Sequence, residues 1–189
     1  MRRLAAAIAL FLAVAPAAAA QLAGVTLPDE ATVGDKHLVL NGLGLREATV
    51  LMVDVYVAGL YVESKTSNPD AILAPAAAKE LVMKFVRSVG KEKLADAWTE
   101  GFQKNAHDKD GVVADGLAKL NASMTDVKKG DVISLAYLPA TGTTVTVKGH
   151  DAATIPGPEF AQVLFAIWLG PDPPNLPLRE GLLGKNGKH

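Results

Sequence analysis

Between residues 36 and 62 apolar positions dominate and charges are few. Lys36–Leu45 reads as an apolar segment with Gly42 and Gly44 near its end. Glycine inside a strand pattern predicts a bulge or the close approach of another backbone. Residues 46–49 read as a turn. Val50–Val62 then reads as one long strand rich in Val, Leu and Tyr. Both of its alternating faces are apolar, with Asp54 the single charge, which predicts a strand covered on both sides.

Elsewhere the pattern is more varied. Val25–Leu27 reads as a short strand closed by Pro28. Asn68-Pro69-Asp70 opens a short helix through Ala74, and Glu80–Val89 alternates as a strand. Lys91–Asn105 carries the clearest helical stripe, with Leu94, Ala95, Trp98, Gly101 and Phe102 on one face. Gly111–Ala122 is a weaker helix. Asp131–Leu138, Thr143–Val147 and Thr154-Ile155 read as strands separated by turns at Lys129-Gly130 and Thr141-Gly142. Glu159–Leu169 is an apolar helix with Pro158 at its start, and Gly170 and the following prolines end it. Leu178–Leu183 is a final short helix. The order of strands, helices, strands, helices predicts an α+β fold, an antiparallel sheet with helices on one face.

The first twenty residues follow a different logic. Arg2 and Arg3 precede an apolar core from Leu4 to Val14, Pro16 breaks it, and Ala18-Ala19-Ala20 offers a cleavage motif before Gln21. That is the layout of a secretory signal peptide, too short in its apolar core to span a bilayer. The expectation is cleavage after Ala20, a periplasmic or secreted location, and a single domain over residues 21–189. Later segments lack the length of uncharged apolar sequence that a membrane span needs.

Charge and composition narrow the chemistry. Without Arg2 and Arg3 the chain has 17 basic against 20 acidic residues, a net charge of −3. It has no dense basic run, so nucleic acid is not an expected partner. It has no cysteine, which excludes thiol catalysis and cysteine-ligated metal. His37, His107, His150 and His189 have no ligand spacing, and Asp108-Lys109-Asp110-Gly111 is an incomplete calcium loop. Gly42-Leu43-Gly44 lacks the third glycine of a dinucleotide fingerprint. No metal and no cofactor is expected.

The remaining candidate is Arg46, an obligate cation beside a strongly apolar strand. One reading is an ion pair with Asp54 or Glu47; Asp54 has Lys84 and Arg87 as further possible partners. The other is that Arg46 and Tyr56 hold the anionic end of an otherwise apolar ligand, the guanidinium by charge-assisted bonds and the phenol as an added donor.

Gly42-Leu43-Gly44-Leu45-Arg46 followed by Val55-Tyr56-Val57-Ala58-Gly59-Leu60-Tyr61-Val62 resembles the N-terminal half of chalcone isomerase-like domains. So do Phe85-Val86-Arg87 with Ala97-Trp98-Thr99-Glu100-Gly101-Phe102, and the closing run from Gly157-Pro158-Glu159-Phe160 through Ala166-Ile167-Trp168-Leu169-Gly170-Pro171 to Leu182-Leu183-Gly184. The closing run is similar to the bacterial, exported branch. The resemblance implies an open-faced β-sandwich, a large antiparallel sheet covered by helices with a ligand cleft between. It implies that Arg46 matches the arginine that stabilises an oxyanion in plant chalcone isomerases. The other plant catalytic positions fall at Tyr56, Leu94 and Gly101 and are not kept. Fatty-acid-binding relatives pair the arginine with a strand tyrosine, which Tyr56 resembles. The expectation is therefore a non-catalytic binder of a fatty acid or similar amphiphilic anion. The alternatives are an isomerase of the intramolecular lyase type, with Arg46 as its catalytic group, and an interaction protein without ligand.

Overall fold

A computed structural model describes residues 19–48, 53–106 and 110–185. The proposed signal peptide up to residue 18, the end of the expected turn at Thr49, the start of the expected long strand at residues 50–52, and His107, Asp108, Lys109 and His189 lie outside these. Seven strands form one antiparallel sheet in chain order: β3 (Glu30–Val33), β4 (Lys36–Ala48), β5 (Val53–Val62), β6 (Lys79–Phe85), β7 (Val132–Leu138), β8 (Gly142–Val147) and β9 (His150–Ile155). A separate hairpin joins β1 (Ala19–Leu22) to β2 (Val25–Pro28). The helices are α1 (Pro69–Leu73), α2 (Lys91–Asn105), α3 (Asp110–Ala122), α4 (Pro158–Leu169) and α5 (Leu176–Leu182).

The α+β expectation is met, and so is the two-sided cover of β5. Ala58, Leu60 and Val62 face the main core, where α2 and α4 contribute Leu94, Phe102, Phe160, Leu164 and Trp168. The opposite face sends Val57 against Val25 and Leu27 of the hairpin, while Tyr61 packs with Leu38 and Leu40. The Tyr61 hydroxyl donates to the Pro28 carbonyl at 2.8 Å, tying the hairpin to the sheet. Ala19 and Ala20 occupy half of β1, and Ala20 packs on the cluster around Leu38.

Several boundaries move. Arg46 and Glu47 do not form a turn: they continue β4, which runs to Ala48. Their pairing with β5 holds them extended, with a register shift between Arg46 and Glu47. β6 ends at Phe85 rather than Val89, and β9 begins at His150 rather than Thr154. Lys79, left outside the expected strand, is its first residue and is buried. β3 carried no apolar alternation strong enough to be read, because its neighbours across the sheet supply its order.

Gly42 and Gly44 meet both expectations placed on them. The register of β4 against β5 shifts between Leu40 and Gly42. A Cβ on Gly42 would stand 2.1 Å from the Gly181 carbonyl, and one on Gly44 would stand 2.4 Å from the Leu178 carbonyl. The backbone of α5 therefore rests directly on the backbone of β4. Asn41 fixes this junction, its Nδ2 donating to the Leu182 carbonyl at 2.7 Å and its Oδ1 accepting from Thr66 N at 2.8 Å.

Candidate functional site

Side chains two residues apart on a strand share a face. Gly42, Gly44 and Arg46 thus point the same way, toward the helices. The glycines lie beneath α5. Arg46 emerges just beyond the helix start, where Asn175 Nδ2 donates to the Leu45 carbonyl at 3.3 Å. Across the sheet, Arg46 pairs with Tyr56 and Glu47 with Asp54. Directly opposed residues have neighbouring side chains, so the register itself brings Arg46 and Tyr56 together.

Both line one cavity of about 380 Å³ between the sheet, α2 and α4. Its walls are largely apolar, with Met83 and Phe85 from β6, Leu94 and Trp98 from α2, and Ile167 and Trp168 from α4. Lys93, Glu100, Lys104 and Asp172 also line it. Lys104 and Glu100 pair at 2.5 Å. That hydrogen bond and the lysine charge, with a smaller contribution from Arg46, hold the Glu100 carboxyl below the usual range.

Tyr56 is fixed by aromatic neighbours. Its ring meets Phe85 edge-on at 5.5 Å. Its hydroxyl accepts from Trp168 Nε1 at 2.9 Å, which leaves its own proton for another acceptor. Burial pushes the phenol above its ordinary value, while the Trp168 bond and the Arg46 charge pull the other way. At neutral pH it is therefore a donor. Arg46 gives one Nη1–H to the Glu47 carbonyl, which orients the guanidinium and leaves other donors of the fork unspent.

The ion-pair reading of Arg46 finds no counterpart in the contacts. Among the described residues the salt bridges are Lys36–Glu63, His37–Glu30 and Lys104–Glu100. Asp54 is exposed and lies opposite Glu47. Leu94 and Gly101, which the resemblance sets against plant catalytic positions, do line the cavity, but bring a hydrocarbon side chain and no side chain.

Trp98 and Trp168 were not singled out from the sequence. Their ring centroids are 5.7 Å apart, edge to face. Trp98 reads as part of the α2 stripe, and Trp168 as part of the apolar helix α4. The available signal was their chemistry: the chain has two tryptophans, and a buried indole N–H needs a partner. A second, more open cavity of about 550 Å³ lies along α4, lined by Asp70, Asn105, Leu169 and Arg179 among others. There Arg179 Nε is engaged by the Leu169 carbonyl at 2.9 Å, and no tyrosine joins it.

A family profile described as chalcone isomerase-like matches residues 19–184. The chain belongs to the chalcone isomerase-like family. A solved structure of this fold, a fatty-acid binding protein from Arabidopsis thaliana, superimposes with a TM-score of 0.73 at 16% identity, covering 88% of this chain and 96% of that one. No curated protein matches the chain. The seven-stranded sheet with its helical cover is thus the chalcone isomerase-like fold, and the cavity lined by Arg46 and Tyr56 lies between its two layers.

Proposed function

We propose that this chalcone isomerase-like protein binds a fatty acid or similar amphiphilic anion without turning it over. The observation that carries the reading is the cross-strand pair Arg46 and Tyr56 in the wall of a largely apolar cavity. A carboxylate there would receive charge-assisted bonds from the guanidinium and one from the phenol. The tail would lie against Leu94, Met83 and Ile167. A cavity of about 380 Å³ is within the size range of small-molecule sites and suits an acyl chain of medium length. The fatty-acid binding name of the Arabidopsis thaliana neighbour supports the same direction.

The isomerase reading asks for the catalytic side chains of the plant enzymes, of which the resemblance keeps Arg46. Where the plant enzymes have further catalytic side chains, Leu94 and Gly101 offer none. The signal-like first twenty residues support action outside the cytoplasm. N-terminal sequencing of protein expressed from the full chain would then begin at Gln21, whereas an intact Met1 would remove the export proposal.

The direct test is to purify the protein from cells and identify co-extracted lipid by mass spectrometry, beside Arg46→Ala. The expected result is acyl anions on the wild type and their depletion on the variant. Equal lipid on both, or none on the wild type even after exposure to acids of graded length, would refute the reading. Chalcone cyclisation dependent on Arg46 would favour the isomerase instead.

A further inference from the structure

Five charged side chains line the cavity: Arg46 from β4, Lys93, Glu100 and Lys104 from α2, and Asp172 from the segment after α4. Lys93, Glu100, Lys104 and Asp172 are exposed and Arg46 is half-buried, whereas Leu94 and Phe85 in the same wall are buried. The charges therefore mark the mouth and the hydrocarbon marks the interior. Lys93, Glu100 and Lys104 stand at i, i+7 and i+11, which sets them on one face of α2.

One pair within this set is joined, Lys104 to Glu100 at 2.5 Å. Arg46, Lys93 and Asp172 form no salt bridge among the described residues. The Lys104 bond and charge hold the Glu100 carboxyl low, and Arg46 adds to this, so Glu100 lies within the field of both cations. Three cations and two carboxylates give the mouth a net charge of +1. A head with one negative charge neutralises that balance. A head with two leaves a negative surplus beside Glu100 and Asp172.

We infer that the cavity selects a singly charged head, and that Glu100 is a specificity-determining residue that sets it against dianions such as a phosphate monoester. This rests on the carboxylate-binding reading of Arg46 and Tyr56 and adds a charge limit to it. Glu100 acts through space. Its carboxylate, held at the rim by Lys104, repels each charge on the head, so a dianion is opposed twice as strongly as a carboxylate. Asp172 works in the same sense and Lys93 against it. Because these side chains are exposed, the discrimination is modest and screened by salt.

The experiment is a calorimetric titration of the full chain with decanoate and with decyl phosphate, at low salt and pH 8. The two ligands share a tail. At that pH the carboxylate carries one charge and the phosphate about two, its second pKa being about 6. The wild type is expected to bind decanoate more tightly. Glu100→Gln should raise the affinity for decyl phosphate relative to decanoate by about threefold, and Lys104→Gln should lower it by a similar factor. Both shifts should fade in about 1 M salt, where the screening length is about 3 Å. Thermal midpoints verify that the variants fold. A wild type that prefers decyl phosphate would overturn the inference, as would a head-group ratio unchanged by Glu100→Gln or moved in the same direction by both variants. Failure of both ligands to bind the wild type would instead sink the underlying carboxylate reading, and the inference with it.

Discussion

At the scale of single residues, the central feature is a cation that makes no salt bridge with a side-chain carboxylate among the described residues, although its charge is felt by Glu100. Arg46 bonds to the neighbouring carbonyl and faces Tyr56 over an apolar cavity. Arg46→Ala should weaken binding of a medium-chain acid by about tenfold to a hundredfold, the range for losing a hydrogen bond to a charged group. Tyr56→Phe should cost less, about tenfold or below, because it removes one neutral donor. Isothermal calorimetry reads both. Lys79 is a second unusual cation. It is 1% exposed, donates to the Ile72 and Ala74 carbonyls at 2.8 and 2.9 Å, and lies near the rings of Tyr137 and Phe165. Burial lowers its ammonium from 10.5 to about 8. Between those values the unfolded chain holds a proton that the folded chain has released, so stability rises with pH, by at most about 3 kcal/mol. Above about 10 the tyrosines oppose this, since Tyr61 is pushed up to about 12 by burial and the nearby Glu80 and Asp29 charges. Urea denaturation from pH 8 to 10 should show the rise, and Lys79→Met should flatten it; the same slope in both proteins would exclude Lys79 as its source.

At the scale of elements, the packing of α5 on β4 sets where Arg46 appears. Gly44→Ala places a methyl 2.4 Å from the Leu178 carbonyl, a backbone atom that cannot step aside without moving the helix. The expected loss is about 3 kcal/mol or more in chemical denaturation. A near-neutral Gly44→Ala would mean that α5 does not rest on the strand in this way. Much of this level was legible in the sequence. The glycines announced a bulge or a close approach, and β4 has both. The stripe of α2 and the proline and glycine ends of α4 also read correctly. The polar run after Leu45 did not, because a strand that ends at the rim of a cavity carries polar residues, and these look like turn residues to any local rule. Arg46 and Tyr56 were legible as types, and cross-strand register makes them neighbours. Trp98 is hidden because an aromatic on a helical stripe reads as core, and Trp168 because it sits in a helix that is apolar throughout.

At the scale of the whole molecule, the fold has two covers on one sheet. The hairpin and its ties through Tyr61 close one face, and the helices close the other around the cavity. Shared architecture at 16% identity with a plant fatty-acid binding protein shows that this arrangement tolerates wide sequence change. Function therefore turns on the few groups that face the cavity. A ligand that binds only the folded chain must stabilise it, by about 2.7 kcal/mol at a hundredfold excess over its dissociation constant. Decanoate should accordingly raise the thermal midpoint of the wild type and raise it less for Arg46→Ala. The most direct measurement is a crystal structure of the decanoate complex. We predict the carboxylate within hydrogen-bonding distance of the Arg46 guanidinium and the Tyr56 hydroxyl, with the chain between α2 and α4. A carboxylate held instead by Arg179 in the second cavity, or a reversed chain with its methyl end at Arg46, would contradict the account.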